Sequence, residues 1–185
     1  EDDDRLGWVL LTTGEDDIML ITQQGQAIRF KENDVRPTGL PAGGMRGIKL
    51  AEQNDKVVGA SLATVPEGNG VEKLVWVITD DGVAKTSPLE EYPTQGRAGS
   101  GVIAMKMPPN GSGLACGLVG LAQDTIFVHS DKGRVWPMKV IKAPLAKRAG
   151  KGDYILSVTG KERVAAVTTH QSQVILSANG DENEE

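Results

Sequence analysis

Two short loops of this sequence combine an arginine with closely spaced glycines, a composition suited to holding an anion. They are Arg97-Ala-Gly-Ser-Gly101 and Arg148-Ala-Gly-Lys-Gly152. Glycine lets the backbone approach an anion so that its N–H groups can donate hydrogen bonds, and arginine adds a charge-assisted bond. A single such loop is weak evidence, because hairpins also need glycine. Recurrence of the pattern favours phosphate as the ligand.

A third stretch, residues 39–50, is also rich in glycine and carries basic residues. The cations in or beside these three stretches are the first group of predicted phosphate-binding residues: Arg36, Arg46, Arg97, Lys106, Lys147, Arg148 and Lys151. A second group comes from the preceding strands and their ends: Arg29, Lys31, Lys85, Lys139 and Lys142. For the second group the alternative is that these are ordinary edge residues, which discourage strand pairing between molecules.

The elements that must position these loops are short apolar runs, each closed by a polar turn and a glycine. The turn glycines are Gly25, Gly82, Gly133 and Gly180, spaced 57, 51 and 47 residues apart. A period in this range is typical of propeller blades, in which each repeat is one small sheet. The spacing therefore predicts a repeat protein.

Composition and patterning predict that each repeat is built from β-strands. The runs are short, rich in Val, Ile, Leu and Thr, and separated by Gly, Pro, Asn and Asp, and helical spacing is nowhere sustained for three turns. The segments 80–82 and 131–133 are predicted to be tight hairpin turns, because their glycines tolerate a positive φ. The fold class is all-β.

The repeats divide the chain into seven segments. Residues 1–4 are an acidic start expected to be disordered, 5–16 the closing strand of a preceding blade, 17–71, 72–123 and 124–173 three blades, 174–180 the first strand of a further blade, and 181–185 an acidic tail. This arrangement is what a fragment of a longer array would look like.

The charge distribution favours an anionic partner for the body of the chain. The formal net charge is −5, but eight of the 25 acids lie in residues 1–4 and 181–185, which leaves 20 basic against 17 acidic residues. Residues 129–163 hold nine Lys or Arg and three acids. Terminal blocks of like charge are usually solvated. The remaining positive field can attract a polyanion.

Residues that commonly carry catalysis form no constellation here. Cys116 is the single cysteine and lies in an apolar strand, and neither His129 nor His170 belongs to a constellation of acid, cysteine and serine residues, so both histidines are predicted to be structural. No metal site, nucleophile or ATP-binding glycine loop is therefore predicted. No apolar run approaches the ~20 residues that span a membrane, and no signal peptide opens the chain, so a cytoplasmic location and no membrane partner are expected.

The aromatic residues are predicted to serve packing. Trp8, Trp76 and Trp136 occupy strand positions. Core or inter-blade contacts are favoured for them over stacking on nucleic-acid bases, because the bases of a duplex are not exposed for stacking by a side chain. Tyr92 precedes Pro93 in a loop, and Tyr154 follows a glycine-rich turn.

The order of strand, glycine turn, basic strand and Tyr92-Pro-Thr-Gln-Gly-Arg-Ala-Gly-Ser-Gly-Val102 resembles the C-terminal repeats in the A subunits of bacterial DNA gyrase and of its paralogue, topoisomerase IV. Thr79-Asp-Asp-Gly-Val-Ala-Lys85 matches as closely, and Arg29-Phe30 with Val35-Arg-Pro-Thr-Gly39 is a further familiar stretch. The resemblance covers residues 5–180. The Gln-Arg-Arg-Gly-Gly-Lys-Gly heptapeptide of gyrase is absent, so the sequence leaves the choice between gyrase and topoisomerase IV open.

The resemblance implies a β-pinwheel, a propeller-like ring of about six four-stranded antiparallel blades in which neighbours exchange a strand. About three blades are predicted here. It also implies a DNA-wrapping module of a type II topoisomerase, which bends duplex DNA around a basic rim, presents it for strand passage and sets the direction of supercoiling. Its implied partners are duplex DNA, the remainder of the gyrase A protein and the ATP-hydrolysing B protein, in the nucleoid.

The same resemblance implies no catalytic site and no cofactor in this chain, since ATP and Mg²⁺ are used elsewhere in the holoenzyme. Contacts are expected to go mainly to phosphate, because no recognition helix is visible. The alternative function is a propeller-type scaffold for protein interactions that does not bind DNA. A propeller enzyme is disfavoured, because no convergent acid, histidine or metal cluster is present.

Overall fold

The computed structural model describes residues 6–39, 42–64, 72–109 and 111–169. In these ranges the chain forms strands and short 3-10 turns, and no helix is long and apolar enough to span a bilayer. The strands are β1 (Asp17–Thr22), β2 (Gln26–Lys31), β3 (Val57–Leu62), β4 (Lys73–Thr79), β5 (Val83–Pro88), β6 (Val102–Ile103), β7 (Leu114–Leu121), β8 (Thr125–Ser130), β9 (Val135–Lys139), β10 (Asp153–Tyr154) and β11 (Val164–Thr169). The 3-10 turns are Glu32–Asp34, Leu89–Glu91 and Val140–Lys142.

The strands form three antiparallel sheets, with strand orders β3-β1-β2-β6, β10-β5-β4-β7 and β11-β8-β9. The outermost strand of the first sheet, β6, comes from the second repeat, and that of the second sheet, β10, from the third. Neighbouring blades therefore exchange a strand. The prediction of an all-β pinwheel with four-stranded antiparallel blades is confirmed, with three strands described for the last sheet.

The hairpin turns follow directly from the recurring glycines. Gly25, Gly82 and Gly133 have φ of 80°, 95° and 82°, a region that side chains with a Cβ rarely adopt. Each glycine N–H donates to the carbonyl three residues earlier, at 3.0 or 3.1 Å. The turns predicted at 80–82 and 131–133 are confirmed.

The core lies between and within the sheets and contains one of the three tryptophans entirely. Trp76 is 0% exposed, and Trp136 is partly buried against the same cluster, as predicted. Trp8 is 45% exposed, so of the two predicted roles, core and inter-blade packing, the core role is excluded. Residues 6–13 also contain no strand. The last strand of a blade pairs with the first strand of the same blade, as β3 does with β1. Among the described residues, no such first strand pairs with residues 6–13.

The inner strands β3, β7 and β11 surround a central cavity of about 1000 Å³, which residues 7–11 also line. The acidic segments 1–4 and 181–185, the strand predicted at 174–180 and His170 all lie outside the described residues. The boundaries proposed at residues 71 and 123 stay predictions.

Two inner strands approach each other most closely at glycine, which sets the spacing between the first two blades. A Cβ built on Gly59 would lie 2.2 Å from the carbonyl oxygen of Gly117, and one built on Gly117 would lie 2.6 Å from Ile21 Cδ1. Backbone cannot yield as a flexible side chain can. Glycine at position 59, which faces backbone, is therefore required by packing.

We expect Gly59→Ala to lower the free energy of unfolding by about 1–3 kcal/mol, because β3 and β7 must separate to admit the methyl group. Urea denaturation followed by circular dichroism measures the change. Gly7→Ala is the matched control, since an added Cβ there meets no atom within 4 Å. Equal stability of Gly59→Ala and the control would contradict the close contact.

Candidate nucleic-acid interface

The arginines of the two glycine-rich loops hold neighbouring repeats together. Arg97 Nε donates to the carbonyl oxygen of Asp34 at 3.1 Å, and its Nη1 donates to that of Arg46. Arg148 Nη1 donates to the carbonyl oxygen of Ile103 at 2.6 Å. Each arginine thus reaches from its own repeat to the backbone of the preceding one. Both side chains are committed to a structural role, which their sequence pattern did not reveal.

The same backbone contact recurs beside each arginine. The amide of Lys49 donates to the carbonyl of Gly99 at 2.9 Å, and the amide of Lys106 donates to that of Gly150 at 3.0 Å. Lys49 and Lys106 are 57 residues apart, the spacing of the first two turn glycines, and Gly99 and Gly150 are 51 apart, the spacing of the next two. We call these contacts the first junction (loop 97–101 with residues 34 and 46–49) and the second junction (loop 148–152 with residues 91 and 103–106).

Both junctions carry an exposed lysine at the equivalent position. Lys106 was a predicted site residue, whereas Lys49 was missed, and both are exposed. The signal that could have found Lys49 is the 57-residue shift applied to Lys106. Within the described residues of the two junctions, no other equivalent positions carry an exposed cation in both.

The other predicted site residues divide by exposure. Exposed side chains belong to Lys31, Arg36, Arg46, Lys106, Lys142, Lys147 and Lys151. Lys139 is exposed too, but its ammonium donates to the Gln123 carbonyl at 2.8 Å and to the Thr125 hydroxyl at 2.9 Å. Lys147, Lys151 and Lys106 come together at the second junction, through the contact of Lys106 with Gly150.

Two strand-borne candidates form ion pairs with the same acid. Arg29 Nη2 and Lys31 Nζ lie 2.5 and 2.7 Å from the carboxylate oxygens of Asp17. Burial alone would raise the pKa of Asp17, but hydrogen bonds and charge from Lys31 and Arg29 hold it below its ordinary value. The ionised acid offsets charge that these residues would otherwise offer to phosphate. The Arg29 side chain is also only 16% exposed.

Lys85 is the one candidate that the structure removes from the surface. It is 0% exposed, so its prediction as a phosphate contact is wrong. Its sequence position, shortly after a turn glycine, suggested an exposed strand. The whole of β5 is instead buried up to Ser87, because β10 and the 148–152 loop cover it.

Cys116 and His129, whose residue types often serve in catalysis or metal binding, are buried or hydrogen-bonded. No group of three or more His, Cys, Asp or Glu residues there could hold a metal ion. Cys116 is buried, and burial raises the pKa of its thiol to about 12. His129 shares a hydrogen bond of 2.9 Å with the hydroxyl of Thr168.

The sequence of the chain is similar to a known protein family. A family model described as DNA gyrase C-terminal domain, beta-propeller, matches residues 16–64 and 75–112. The DNA gyrase A subunit of Klebsiella oxytoca is 37% identical over 172 residues, which cover 90% of this chain and 18% of the relative. The chain belongs to the DNA gyrase C-terminal β-propeller family. The resemblance read from the sequence is thereby confirmed.

Other members support the gyrase-family assignment. The DNA gyrase A subunit of Escherichia coli K12 is 36% identical over 89% of this chain and 19% of its own length. The crystal structure of the C-terminal domain of DNA topoisomerase IV aligns with a TM-score of 0.73 and 25% identity, over 84% of this chain and 47% of that one. The E. coli ParC C-terminal domain shares the fold, with a TM-score of 0.60 and 21% identity over 86% of this chain and 62% of that one. The gyrase-family chain thus spans about a fifth of its full-length relatives.

Proposed function

We propose that this gyrase-family domain binds duplex DNA through its outer loops and bends the duplex around them. It acts as the non-catalytic wrapping module in the A protein of a type II topoisomerase. The observation that carries the proposal is the recurring junction, in which an arginine-braced glycine loop stands beside an exposed lysine, Lys49 or Lys106. Cations repeated along a rim match a ligand whose charge also repeats, which is the property of a duplex backbone.

Phosphate contacts explain binding without sequence readout. The exposed cations of the two junctions lie on loops, and the described residues contain no α-helix that could enter the major groove. Bending a short duplex by 40–90° costs roughly 1–6 kcal/mol, which contacts spread over several blades can offset. Preference among sequences then arises from how easily the DNA bends.

The proposal extends to the partners of the domain. The remainder of the gyrase A protein would cleave and rejoin DNA, and the gyrase B protein would hydrolyse ATP with Mg²⁺, so that this domain needs no cofactor. In this scheme wrapping presents a duplex segment for strand passage, in the bacterial cytoplasm. A protein-interaction scaffold is the alternative outcome of the test below.

Salt dependence distinguishes DNA binding from the scaffold function. Fluorescence anisotropy with a labelled duplex should give an affinity that falls steeply with salt, with a log-log slope of about −0.9 for each phosphate neutralised. We expect similar affinities for duplexes of different sequence, because the contacts are to phosphate. Absence of binding at low salt, or an affinity indifferent to salt, would refute the proposal and favour the scaffold.

A further inference from the structure

Lys85 is fully buried, so contact with phosphate does not explain why a lysine stands at this position. Its ammonium donates to the carbonyl oxygens of Arg148 at 2.8 Å and Lys147 at 3.0 Å, and its third contact is Ser87 Oγ at 3.4 Å. All three donors of the ammonium therefore have an acceptor. The acceptors of the two shorter bonds belong to the loop of the next repeat, not to the strand that carries Lys85.

Further contacts fix the same loop from other sides. The amide of Arg148 donates to a carboxylate oxygen of Glu91 at 2.5 Å, and the amide of Gly150 donates to the Lys147 carbonyl at 2.7 Å. The Ser87 hydroxyl also shares a 2.8 Å hydrogen bond with the buried hydroxyl of Tyr92. The loop thus has inward-facing carbonyls held by an ammonium, while the side chains of Lys147 and Lys151 remain exposed.

The first junction has no buried lysine at the position equivalent to Lys85. Ile28 stands 57 residues before Lys85, packs with Phe30 and Ile48, and would lie 3.6 Å from a Cβ built on Gly99. The 97–101 loop therefore rests on an apolar surface, although its arginine brace is the same. The buried charge is one difference between the two loops, so a loop of this kind can form without a buried lysine beneath it.

Stability alone does not account for a buried ammonium at this position. Burial is the main cause that lowers the pKa of Lys85 to about 8; Glu91 opposes the shift and Arg148 adds to it. The unfolded chain, with the ordinary pKa of 10.5, binds more protons between about pH 8 and 10.5, so stability rises with pH across that window. At neutral pH the burial of the charge therefore works against folding.

We propose that Lys85 is a positioning residue for DNA binding, which holds the carbonyls of Lys147 and Arg148 inward and so presets the 148–152 loop for phosphate. The proposal rests on the proposed function and names the residue that prepares one of its contact loops. Preorganisation of a loop strengthens binding because less conformational freedom is lost when the ligand arrives. Lys85 itself touches no ligand.

The test is Lys85→Met, which keeps the length of the side chain and removes the ammonium. Without DNA, hydrogen exchange of the Arg148 and Gly150 amides should become at least about 10-fold faster, because the loop opens locally. Lys56→Met is the matched control, since Lys56 is an exposed lysine beside the central cavity. Unchanged exchange of both loop amides in folded Lys85→Met would overturn the proposal.

DNA binding by the same variants separates positioning from contact. Lys85→Met should weaken duplex affinity about 3- to 10-fold while the salt slope stays unchanged, because no phosphate contact is removed. A slope that shrinks by about one would make Lys85 a phosphate contact and overturn the positioning role. Failure of the wild-type chain to bind DNA refutes the proposed function instead, and the exchange measurement still decides whether Lys85 orders the loop.

Should Lys85→Met fail to fold, the wild-type chain supplies the readout. Nitrogen-15 NMR of the lysine ammonium groups should reveal Lys85 protons that exchange slowly with water and couple through hydrogen bonds to the carbonyl carbons of Lys147 and Arg148. Fast exchange of the Lys85 ammonium protons would overturn the proposal, since the hydrogen bonds that define the role would then be absent.

Discussion

Reversing two charges at the second junction, Lys106→Glu with Lys151→Glu, is expected to reduce duplex affinity about 100-fold or more at low salt. Both side chains are exposed, and the contact of the Lys106 amide with the Gly150 carbonyl brings them to the same loop. Two lost phosphate contacts should also reduce the log-log salt slope by about two, for all sequences alike. Fluorescence anisotropy at several salt concentrations measures both quantities.

The matched control for this pair is Lys56→Glu with Lys161→Glu. These lysines are exposed, and they lie just before the inner strands β3 and β11, which line the central cavity. The net charge changes equally in both double variants, so a general field effect would weaken binding equally. Equal loss of affinity in test and control variants would contradict a localised binding rim.

The second large effect concerns stability: Arg97→Glu with Arg148→Glu is expected to lower the free energy of unfolding by about 2–4 kcal/mol. Each guanidinium donates to backbone carbonyls of the preceding repeat, and a carboxylate would face those oxygens instead. The partial exposure of both arginines moderates the loss at each site. The two junctions share no contact partner, so the losses should add.

Urea denaturation followed by circular dichroism measures this prediction, with Arg36→Glu as the control, since Arg36 is an exposed arginine outside both junctions. Arg97→Lys with Arg148→Lys should retain part of the stability, because an ammonium still donates but lacks the planar geometry of guanidinium. A double glutamate variant as stable as the control would contradict the bracing role of the arginines.

Sequence patterns predicted the parts of the fold that depend on local chemistry. Gly82 and Gly133 fixed the hairpin turns because a positive φ excludes most other residues. The pairing of β6 with β2 followed only from the family resemblance, because no local pattern specifies a partner strand 70 or more residues away along the chain. Trp8 was misplaced for a related reason: its apolar setting resembles a strand, but a strand needs a partner.

The candidate site was predicted less well than the fold. Recurrence drew attention to Arg97, Arg148 and Lys85, but the sequence could not distinguish a cation that faces solvent from one that donates to backbone carbonyls. Exposure depends on the neighbouring repeat that covers a side chain. Lys49 was missed because its loop departs in sequence from the other two, while its backbone contact repeats theirs.

Wrapping of DNA is the central claim, and DNA topology tests it most directly. Singly nicked plasmid circles are sealed by ligase with increasing amounts of the domain bound, and the topoisomers are then separated after the protein is removed. We predict that the mean linking number shifts in proportion to bound domain, and that Lys106→Glu with Lys151→Glu abolishes the shift. Circles that carry the bound wild-type domain yet keep the topoisomer distribution of free DNA would contradict the account.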